Sequence, residues 1–300
     1  MLPPSKLKAG VLNLDKPPGE TSFTMVRRLR AISGAKRVGH AGTLDPLATG
    51  VLPILFESAT RLADYAHQLP KTYLADIRLG FRTNTDDAEG EPEAVGDPSG
   101  LTAEAVAAAL TGFVGTIVQR PPAFSAVKID GQRAYKLARA GEEPAPAPRE
   151  VVIESARLLE FVPGPQAVAG VEVVCGSGTY LRALARDLGE RLEVGGYLGR
   201  LVRSAYGGLS LADAVSMDDI SDGASVEARL LAPEAILPEM EKVRLNVEQE
   251  AMVRQGRTIR VLPEPGTGPL RAHALDGTLV ALGHADPLRR LFVPDKVFAN

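Results

Sequence analysis

The sequence predicts an α+β fold, a mixed α/β architecture in which strands and helices follow one another without a regular βαβ repeat. Apolar residues recur with a period of two in some segments and at helical spacing in others, and turns rich in Gly and Pro separate them. Apolar residues form 45% of the chain, which is enough for a sizeable core. Because 300 residues exceed the usual size of one core, we expect one large domain and a small second one.

The chain should begin with a short buried strand, a Pro-Pro-Gly turn and a helix. The strand is predicted over 11–14 and the helix over 22–32, with Thr21 or Ser22 as its N-terminal cap. Apolar residues at helical spacing predict the buried side of this helix. Several arginines fall mostly off that stripe, on a solvated face or on a binding surface: Arg27, Arg28 and Arg30.

Later elements follow the same two patterns. Alternating or continuous apolar runs predict strands over 51–56, 71–79, 116–119, 151–161 and 168–175. Helical spacing and capping residues predict helices through 63–65, from a cap at Thr102 to about 112, and from Thr179 to about 192.

Two regions differ from this pattern. Residues 121–149 form a long excursion whose alternating prolines cannot continue a helix or a central strand, so it is a flexible connection or a functional loop. Beyond about residue 238, short apolar pieces alternate with turns at 263–269 and 276–277. This texture is typical of a small β domain.

Cysteine usage and missing motifs disfavour several chemistries. Cys175 is the single cysteine of the sequence, so an intramolecular disulfide is excluded, and its apolar context indicates a buried strand thiol. The sequence has no nucleotide-binding glycine motif and no metalloprotease motif, and its four histidines are too scattered for an obvious metal site. We therefore expect no cofactor and no metal. With no apolar run long enough for a membrane span and no signal-peptide pattern at 1–6, a cytoplasmic protein is expected.

Charge is distributed unevenly, although the formal net charge is only −3. Residues 1–45 are basic, and a second basic run over 120–139 is interleaved with Phe124 and Tyr135. Such a mixture suits phosphates and exposed bases. The acidic run at 86–91 is most simply a solvated loop.

The most informative segment is 39–50, which places Asp45 among glycines and directly before Pro46. Glycine permits dihedrals that are closed to other residues, and Pro46 biases Asp45 away from helix, so the carboxylate should lie on a turn. An isolated Asp-Pro would most simply begin a turn. Functional groups often occupy such loops, and the neighbouring residues make Asp45 the leading candidate for a catalytic carboxylate.

This loop is one of five motifs that follow one another along the chain. This set, which includes Gly-His-Ala-Gly-Thr-Leu-Asp-Pro at 39–46, resembles the bacterial tRNA pseudouridine-55 synthases, the TruB family. The other motifs are Leu-Asp-Lys-Pro-Pro-Gly-Glu-Thr-Ser at 14–22, Lys-Thr-Tyr at 71–73, Arg-Pro-Pro-Ala-Phe-Ser-Ala-Val-Lys at 120–128 and Ser-Gly-Thr-Tyr-Leu-Arg at 177–182.

The resemblance implies a pseudouridine-synthase fold, with a central, largely antiparallel mixed sheet flanked by helices and a small C-terminal PUA-like β domain. It implies a catalytic domain over 1–238, with an RNA-clasping insertion at 121–149, and an RNA-binding domain over 239–300. The implied partner is the T-arm stem-loop of tRNA, bound by a monomer that uses no guide RNA and no membrane.

The resemblance also implies a role for each matching residue. Asp45 would stabilise or trap the sugar when the glycosidic bond of the uridine breaks, and Arg182 would pair with Asp45. Tyr73 would stack on the flipped uracil, with action as a base as a second possible role. The residues leave open whether Asp45 attacks the sugar, adds to the uracil or assists elimination. The remaining substrate-binding residues would be His40, which fills the space left by the base, with Tyr180, Leu201 and Phe124. Three basic residues would clamp the RNA backbone: Lys16, Lys128 and Arg133.

Two other classes of function stay open at this point. An RNA-binding module without catalysis would keep only the basic surfaces, whereas this chain also has Asp45, Tyr73 and Arg182. A glycoside hydrolase would need a second carboxylate as its general acid, and none lies in a comparable motif. Release of free uracil would identify the hydrolase, because isomerisation keeps the base in the RNA.

Overall fold

The computed structural model describes residues 7–261, 268–286 and 288–298. Within these residues, ten strands form one large sheet and five strands form a second sheet near the C-terminus. The strands are β1 Gly10–Lys16, β2 Val38–His40, β3 Thr49–Phe56, β4 Lys71–Leu79, β5 Phe81–Arg82, β6 Glu93–Ala94, β7 Gly115–Gln119, β8 Lys128–Ile129, β9 Gln132–Arg133, β10 Arg149–Val162, β11 Val168–Cys175, β12 Gly196–Tyr206, β13 Leu209–Ser210, β14 Val215–Ser216, β15 Glu241–Arg244, β16 Ile259–Arg260, β17 Pro269–His273, β18 Leu279–Asp286 and β19 Leu291–Val297. The helices are α1 Ser22–Ser33, α2 Ala63–Gln68, α3 Ala103–Thr111, α4 Ala134–Arg139, α5 Leu181–Arg191, α6 Gly223–Glu227 and α7 Val247–Arg254.

The large sheet is mixed and largely antiparallel. Its order is β14-β1-β3-β12-β4-β11-β10-β7, with β2 beside β3 and β13 beside β12. Its strand pairs are antiparallel except β1 with β14 and β3 with β12, which are parallel. This confirms the fold class that the sequence predicts. Because β4 lies between β11 and β12, its first residues stand in the middle of the sheet.

Apolar side chains at alternating strand positions and at helical spacing build the main core. In β4, Tyr73, Ala75, Ile77 and Leu79 point to the buried face, where α1, α3 and α5 contribute leucines and valines. Fully burying one such side chain contributes about 1.5–3 kcal/mol. The core therefore orders the strand ends around which the candidate site lies.

Most predicted elements are confirmed, and their caps explain where the helices begin. Thr21 accepts a hydrogen bond from the Thr24 backbone N–H at 3.0 Å, and Thr102 caps α3 through the Ala105 N–H. Helix α5 begins at Leu181 rather than Thr179, and Tyr180 is its N-terminal cap residue. Cys175 is buried in β11, as predicted.

Strand β12 is the main element that the sequence patterns did not predict. Arginines at 200 and 203 and glycines at 196 and 199 interrupt its apolar pattern. The strand is nevertheless central, because the Arg203 guanidinium is buried and bonds to backbone carbonyls instead of solvent. A polar residue satisfied by distant partners has no local signal in the sequence.

The C-terminal sheet has the order β15-β17-β18-β19-β16 and packs against α7, which confirms the predicted small β unit. Leu279, Leu282 and Phe298 pack into an apolar cluster shared with residues of the larger part, including Tyr206. Asp276 and Gly277 form the predicted turn, whereas most of the predicted turn at 263–269 lies outside the described residues. Across the described ranges, we find no helix with the length and apolar character needed to cross a membrane.

Candidate active site

The loop that carries Asp45 connects β2 to β3 and is held by the start of α1. The Ser22 hydroxyl accepts a hydrogen bond from the Leu44 N–H at 2.9 Å and donates to the Leu44 carbonyl at 3.2 Å. The Gly19 N–H donates to the Pro46 carbonyl at 2.8 Å. These contacts flank Asp45 on both sides, so its backbone is fixed while its side chain stays 32% exposed.

Two glycines of the loop are required by close packing. A Cβ at Gly42 would lie 2.8 Å from the Tyr206 ring. Gly50 has a φ of +98°, and a Cβ there would lie 2.3 Å from the Arg203 carbonyl oxygen. Both distances are too short for a side chain, so the loop packs directly against the Tyr206 ring at Gly42, and the start of β3 packs against the β12 backbone at Gly50.

Arg203 and Tyr206 join β12 to the loop from below the surface. The buried Arg203 guanidinium donates to the Val51 carbonyl at 2.7 Å through Nε and to the Gly42 carbonyl at 3.1 Å. The Tyr206 hydroxyl donates to the Ala41 carbonyl, and its ring stacks under Arg203. Sequence reasoning did not identify either residue, because their partners are about 150 residues away.

Arg182 lies between two carboxylates. Its Nε is 3.0 Å from Asp45 Oδ2, and one terminal nitrogen is 3.4 Å from Asp87 Oδ2. The Arg182 side chain is only 5% exposed. The Nε contact is an ion pair rather than a well-aligned hydrogen bond, because Nε lacks a partner with hydrogen-bond geometry. The predicted pairing of Asp45 with Arg182 is thus present, and the Asp45 oxygens keep hydrogen-bonding capacity for a substrate.

Asp87 corrects the interpretation of the acidic run at 86–91 as a solvated loop. Its side chain is 3% exposed and accepts hydrogen bonds from the Thr85 hydroxyl at 2.6 Å and from the Glu89 N–H at 3.0 Å. Its neighbour Asp86 pairs with Arg186 at 2.8 Å. The first two carboxylates of the run are therefore folded against α5, because two arginines one helical turn apart attract them. Glu89 and Glu91 are exposed, as predicted for the run.

A cavity of about 560 Å³ surrounds the ion pair, a size that suits a small ligand or a single nucleotide. Its lining brings together the three residues predicted to be catalytic, Asp45, Tyr73 and Arg182, with Asp87. It also includes three residues that the sequence assigned to substrate binding: Leu201, Tyr180 and Phe124. Burial raises the pKa of Tyr73, so its phenol is protonated near neutral pH.

A buried lysine also faces the cavity. Lys71 donates to the His67 carbonyl at 2.6 Å and to the Ser177 hydroxyl at 3.0 Å, and it lies over the Tyr206 ring. Burial lowers the pKa of Lys71 to about 8. Within the described residues, no group of three His, Cys, Asp or Glu side chains is placed to hold a metal ion.

The prediction that Lys16 binds the RNA backbone is wrong. The side chain is fully buried, and its ammonium group donates to the carbonyls of Pro17, Glu20 and Pro46 at 2.8, 2.7 and 3.2 Å. Burial lowers the pKa of Lys16 to about 8. All three ammonium protons have partners within the protein, so Lys16 braces the loop next to Asp45 and is closed to phosphate.

Lys16→Met should therefore act on stability and loop geometry rather than on phosphate binding. We expect a loss of about 3 kcal/mol in unfolding free energy, because buried carbonyls lose their donor, and turnover reduced by about tenfold. The salt dependence of tRNA binding should be unchanged. Lys128→Met is the matched control, since Lys128 is exposed: its unfolding free energy should stay native, and a phosphate contact would lower the salt slope by about 1. If Lys16→Met instead lowered the salt slope and kept native stability, Lys16 would be a phosphate contact as first predicted.

His40, Lys128 and Arg133 do not line the cavity. His40 lies in β2 opposite Ile54, and burial lowers its pKa, which keeps the ring neutral. Lys128 and Arg133 are exposed and face each other in the β8–β9 hairpin. The hairpin belongs to the 121–149 segment, which also brings Phe124 to the cavity. These three residues stand near the site without forming it.

Comparison with known proteins gives consistent results. Residues 30–181 match the model of the TruB family pseudouridylate synthase N-terminal domain. The chain is 46% identical to a tRNA pseudouridine synthase B of Synechococcus sp., with 91% of this chain and 93% of the relative covered. It is 48% identical to a protein of the same name from Symbiobacterium thermophilum, with 82% of each chain covered.

Solved structures support the fold. A chain of a Cbf5-Nop10-Gar1 complex superposes with a TM-score of 0.74 at 24% identity, covering 97% of this chain and 85% of that one. The family match and the identities agree with the resemblance that the motifs indicate, and the shared fold agrees with the predicted fold class. The chain belongs to the TruB family of pseudouridylate synthases.

Proposed function

We propose that this protein isomerises the T-loop uridine at position 55 of tRNA. The proposal names the target uridine of its activity as a tRNA pseudouridine synthase. The observation that carries the proposal is the buried Arg182 held between Asp45 and Asp87 in a cavity of nucleotide size. An arginine shared by two carboxylates compensates their charge where water is largely excluded. One of the two, Asp45, stays accessible for reaction.

The substrate base has to leave its stack to reach Asp45. Bases inside a folded RNA loop are inaccessible, and enzymes that modify them flip the nucleotide into a pocket. Tyr73 offers the ring on which the flipped uracil stacks, and Leu201 and Tyr180 supply further walls. Because burial keeps the Tyr73 phenol protonated, stacking suits it better than the role of a phenolate base.

The reaction needs no oxidation, hydrolysis or energy input. The N1–C1′ bond breaks, the uracil turns, and C5 forms the new bond to C1′ while the C5 proton leaves to solvent and N1 gains a proton. Positive charge develops on the sugar during cleavage, and the Asp45 carboxylate stabilises or traps it, as glycosidase carboxylates do. Arg182 holds Asp45 in position while Asp87 holds Arg182.

The division of labour along the chain is part of the proposal. Residues 1–238 carry the chemistry, 121–149 clasp the RNA, and 239–300 add an RNA-binding unit. A monomer that works without guide RNA is also part of the proposal. The T-arm stem-loop is the part of tRNA that it binds. A tRNA substrate and a single buried cysteine suit a cytoplasmic, reducing compartment.

Tritium release tests this function directly. Uridine labelled at C5 is placed at position 55 of an intact tRNA and of a T-arm hairpin, and the RNA is assayed for released tritium and free uracil. We expect release from both RNAs without free uracil. Free uracil would identify a hydrolase, absence of release from a folded chain that binds RNA would identify a binding module, and release from intact tRNA only would contradict recognition of the T-arm alone.

A further inference from the structure

The start of α1 presents an exposed aromatic ring beside exposed cations. Phe23 is 70% exposed and takes no part in the core, which α1 contacts through Met25, Val26 and Leu29. Arg27 follows Phe23 by one helical turn and is also exposed. Among the residues that the structure describes, Arg27 forms no ion pair, whereas its neighbour Arg28 lies 3.7 Å from Glu20. This surface is therefore positively charged and carries one apolar ring.

The same surface lies next to the catalytic loop. Ser22, the residue before Phe23, bonds to both backbone groups of Leu44, the residue before Asp45. Bond lengths and Cα spacings then place the Cα atoms of Phe23 and Asp45 within about 15 Å of each other. Arg30 donates to the Val38 carbonyl at 2.9 Å, so this side of α1 lies along β2, which leads into the loop. The span corresponds to a few nucleotides of RNA.

We propose that Phe23 is a stacking platform for a nucleobase that neighbours the flipped uridine, and that Arg27 contacts the adjoining phosphate. This rests on the proposed function, because it requires tRNA at the cavity. Flipping a nucleotide leaves its neighbours without a stacking partner, and an exposed aromatic side chain can replace that partner. An exposed arginine without an acidic partner, such as Arg27, is complementary to an RNA phosphate.

Variants of Phe23 separate stacking from general apolar contact. Phe23→Ala and Phe23→Leu should each weaken binding of a T-arm hairpin by about 5-fold to 100-fold, the range for loss of one base–aromatic stack. Phe23→Trp should bind as tightly as the native chain. Turnover at saturating RNA and the melting temperature should stay native in all three variants. Val162→Ala is the matched control, because Val162 is 49% exposed at the end of β10 that pairs with Val168, away from the cavity.

Salt dependence and fluorescence give independent readouts. Arg27→Gln should lower the slope of log affinity against log salt by about 1, whereas Phe23→Ala should leave this slope unchanged. With 2-aminopurine placed on either side of the target uridine, native protein should quench one of the two probes, and Phe23→Ala should relieve that quenching.

Native affinity of Phe23→Ala, or native affinity of Phe23→Leu, would overturn the stacking role. Equal quenching by native protein and Phe23→Ala would do the same. Failure of the proposed function has a different signature, since the native chain would then release no tritium. The inference is therefore tested on a native chain that has first been shown to form pseudouridine.

Discussion

Asp45→Ala should abolish turnover, by at least about 10⁴-fold, while the affinity for tRNA stays within about tenfold, or about 1.4 kcal/mol. Turnover falls because the Asp45 carboxylate stabilises the positive charge on the sugar, and this charge develops only while the glycosidic bond breaks. Affinity persists because phosphate contacts dominate binding to RNA. Tritium release and equilibrium binding to the same T-arm hairpin measure the two quantities on one preparation.

The structure also predicts that this variant stays folded. Arg182 keeps its second carboxylate, Asp87, and the loop keeps its hydrogen bonds to Ser22 and Gly19. Asp45→Asn, which preserves shape and removes charge, should be as inactive as Asp45→Ala. Asp130→Asn makes the same chemical change in the exposed β8–β9 turn and should be fully active. An Asp45 variant that loses binding together with turnover would refute the assigned role.

Arg182→Lys should reduce turnover by about 100-fold or more and destabilise the fold by about 3 kcal/mol. Lysine keeps the charge, but a single ammonium group cannot replace the planar fork that reaches Asp45 at 3.0 Å and Asp87 at 3.4 Å together. Most of the stability loss arises at Asp87, because that carboxylate is almost fully buried. Single-turnover rates and denaturant unfolding measure the two effects.

Arg186 provides a control on the same helix. It lies one turn beyond Arg182 and pairs with Asp86 and Asp187, yet it does not line the cavity. Arg186→Lys should cost about 1 kcal/mol or less and leave turnover within about threefold. Equal loss of turnover in both variants would mean that α5 matters only as a scaffold. Native turnover in Arg182→Lys would mean that the contact of one guanidinium with both Asp45 and Asp87 is dispensable.

Local patterns predicted most of the large sheet and part of the site. The alternation in β4 placed Tyr73 on the buried face, and helical spacing placed Arg182 in the first turn of α5. The ordered motifs indicated the Asp45 loop and its pairing. By contrast, Asp87 was predicted to be one acidic residue in a solvated run. Strand β12 was not predicted, because Arg203 interrupts its apolar pattern.

The misplaced residues share one physical cause. A lysine or aspartate is exposed by default, and it is buried only when partners compensate its charge and hydrogen bonds. For Lys16 those partners include the Pro46 carbonyl, and for Asp87 the main partner is Arg182, far away in the chain. Neither partnership has a local sequence pattern.

The sequence by itself therefore determined the fold class, the family and the candidate catalytic loop, because periodicity, turn residues and short motifs are local properties of the chain. The tertiary structure alone decided which charged residues surround the cavity, which of them brace the loop, and which remain on the surface near it. That decision depends on contacts between distant segments, where burial and charge compensation are set by the packed fold.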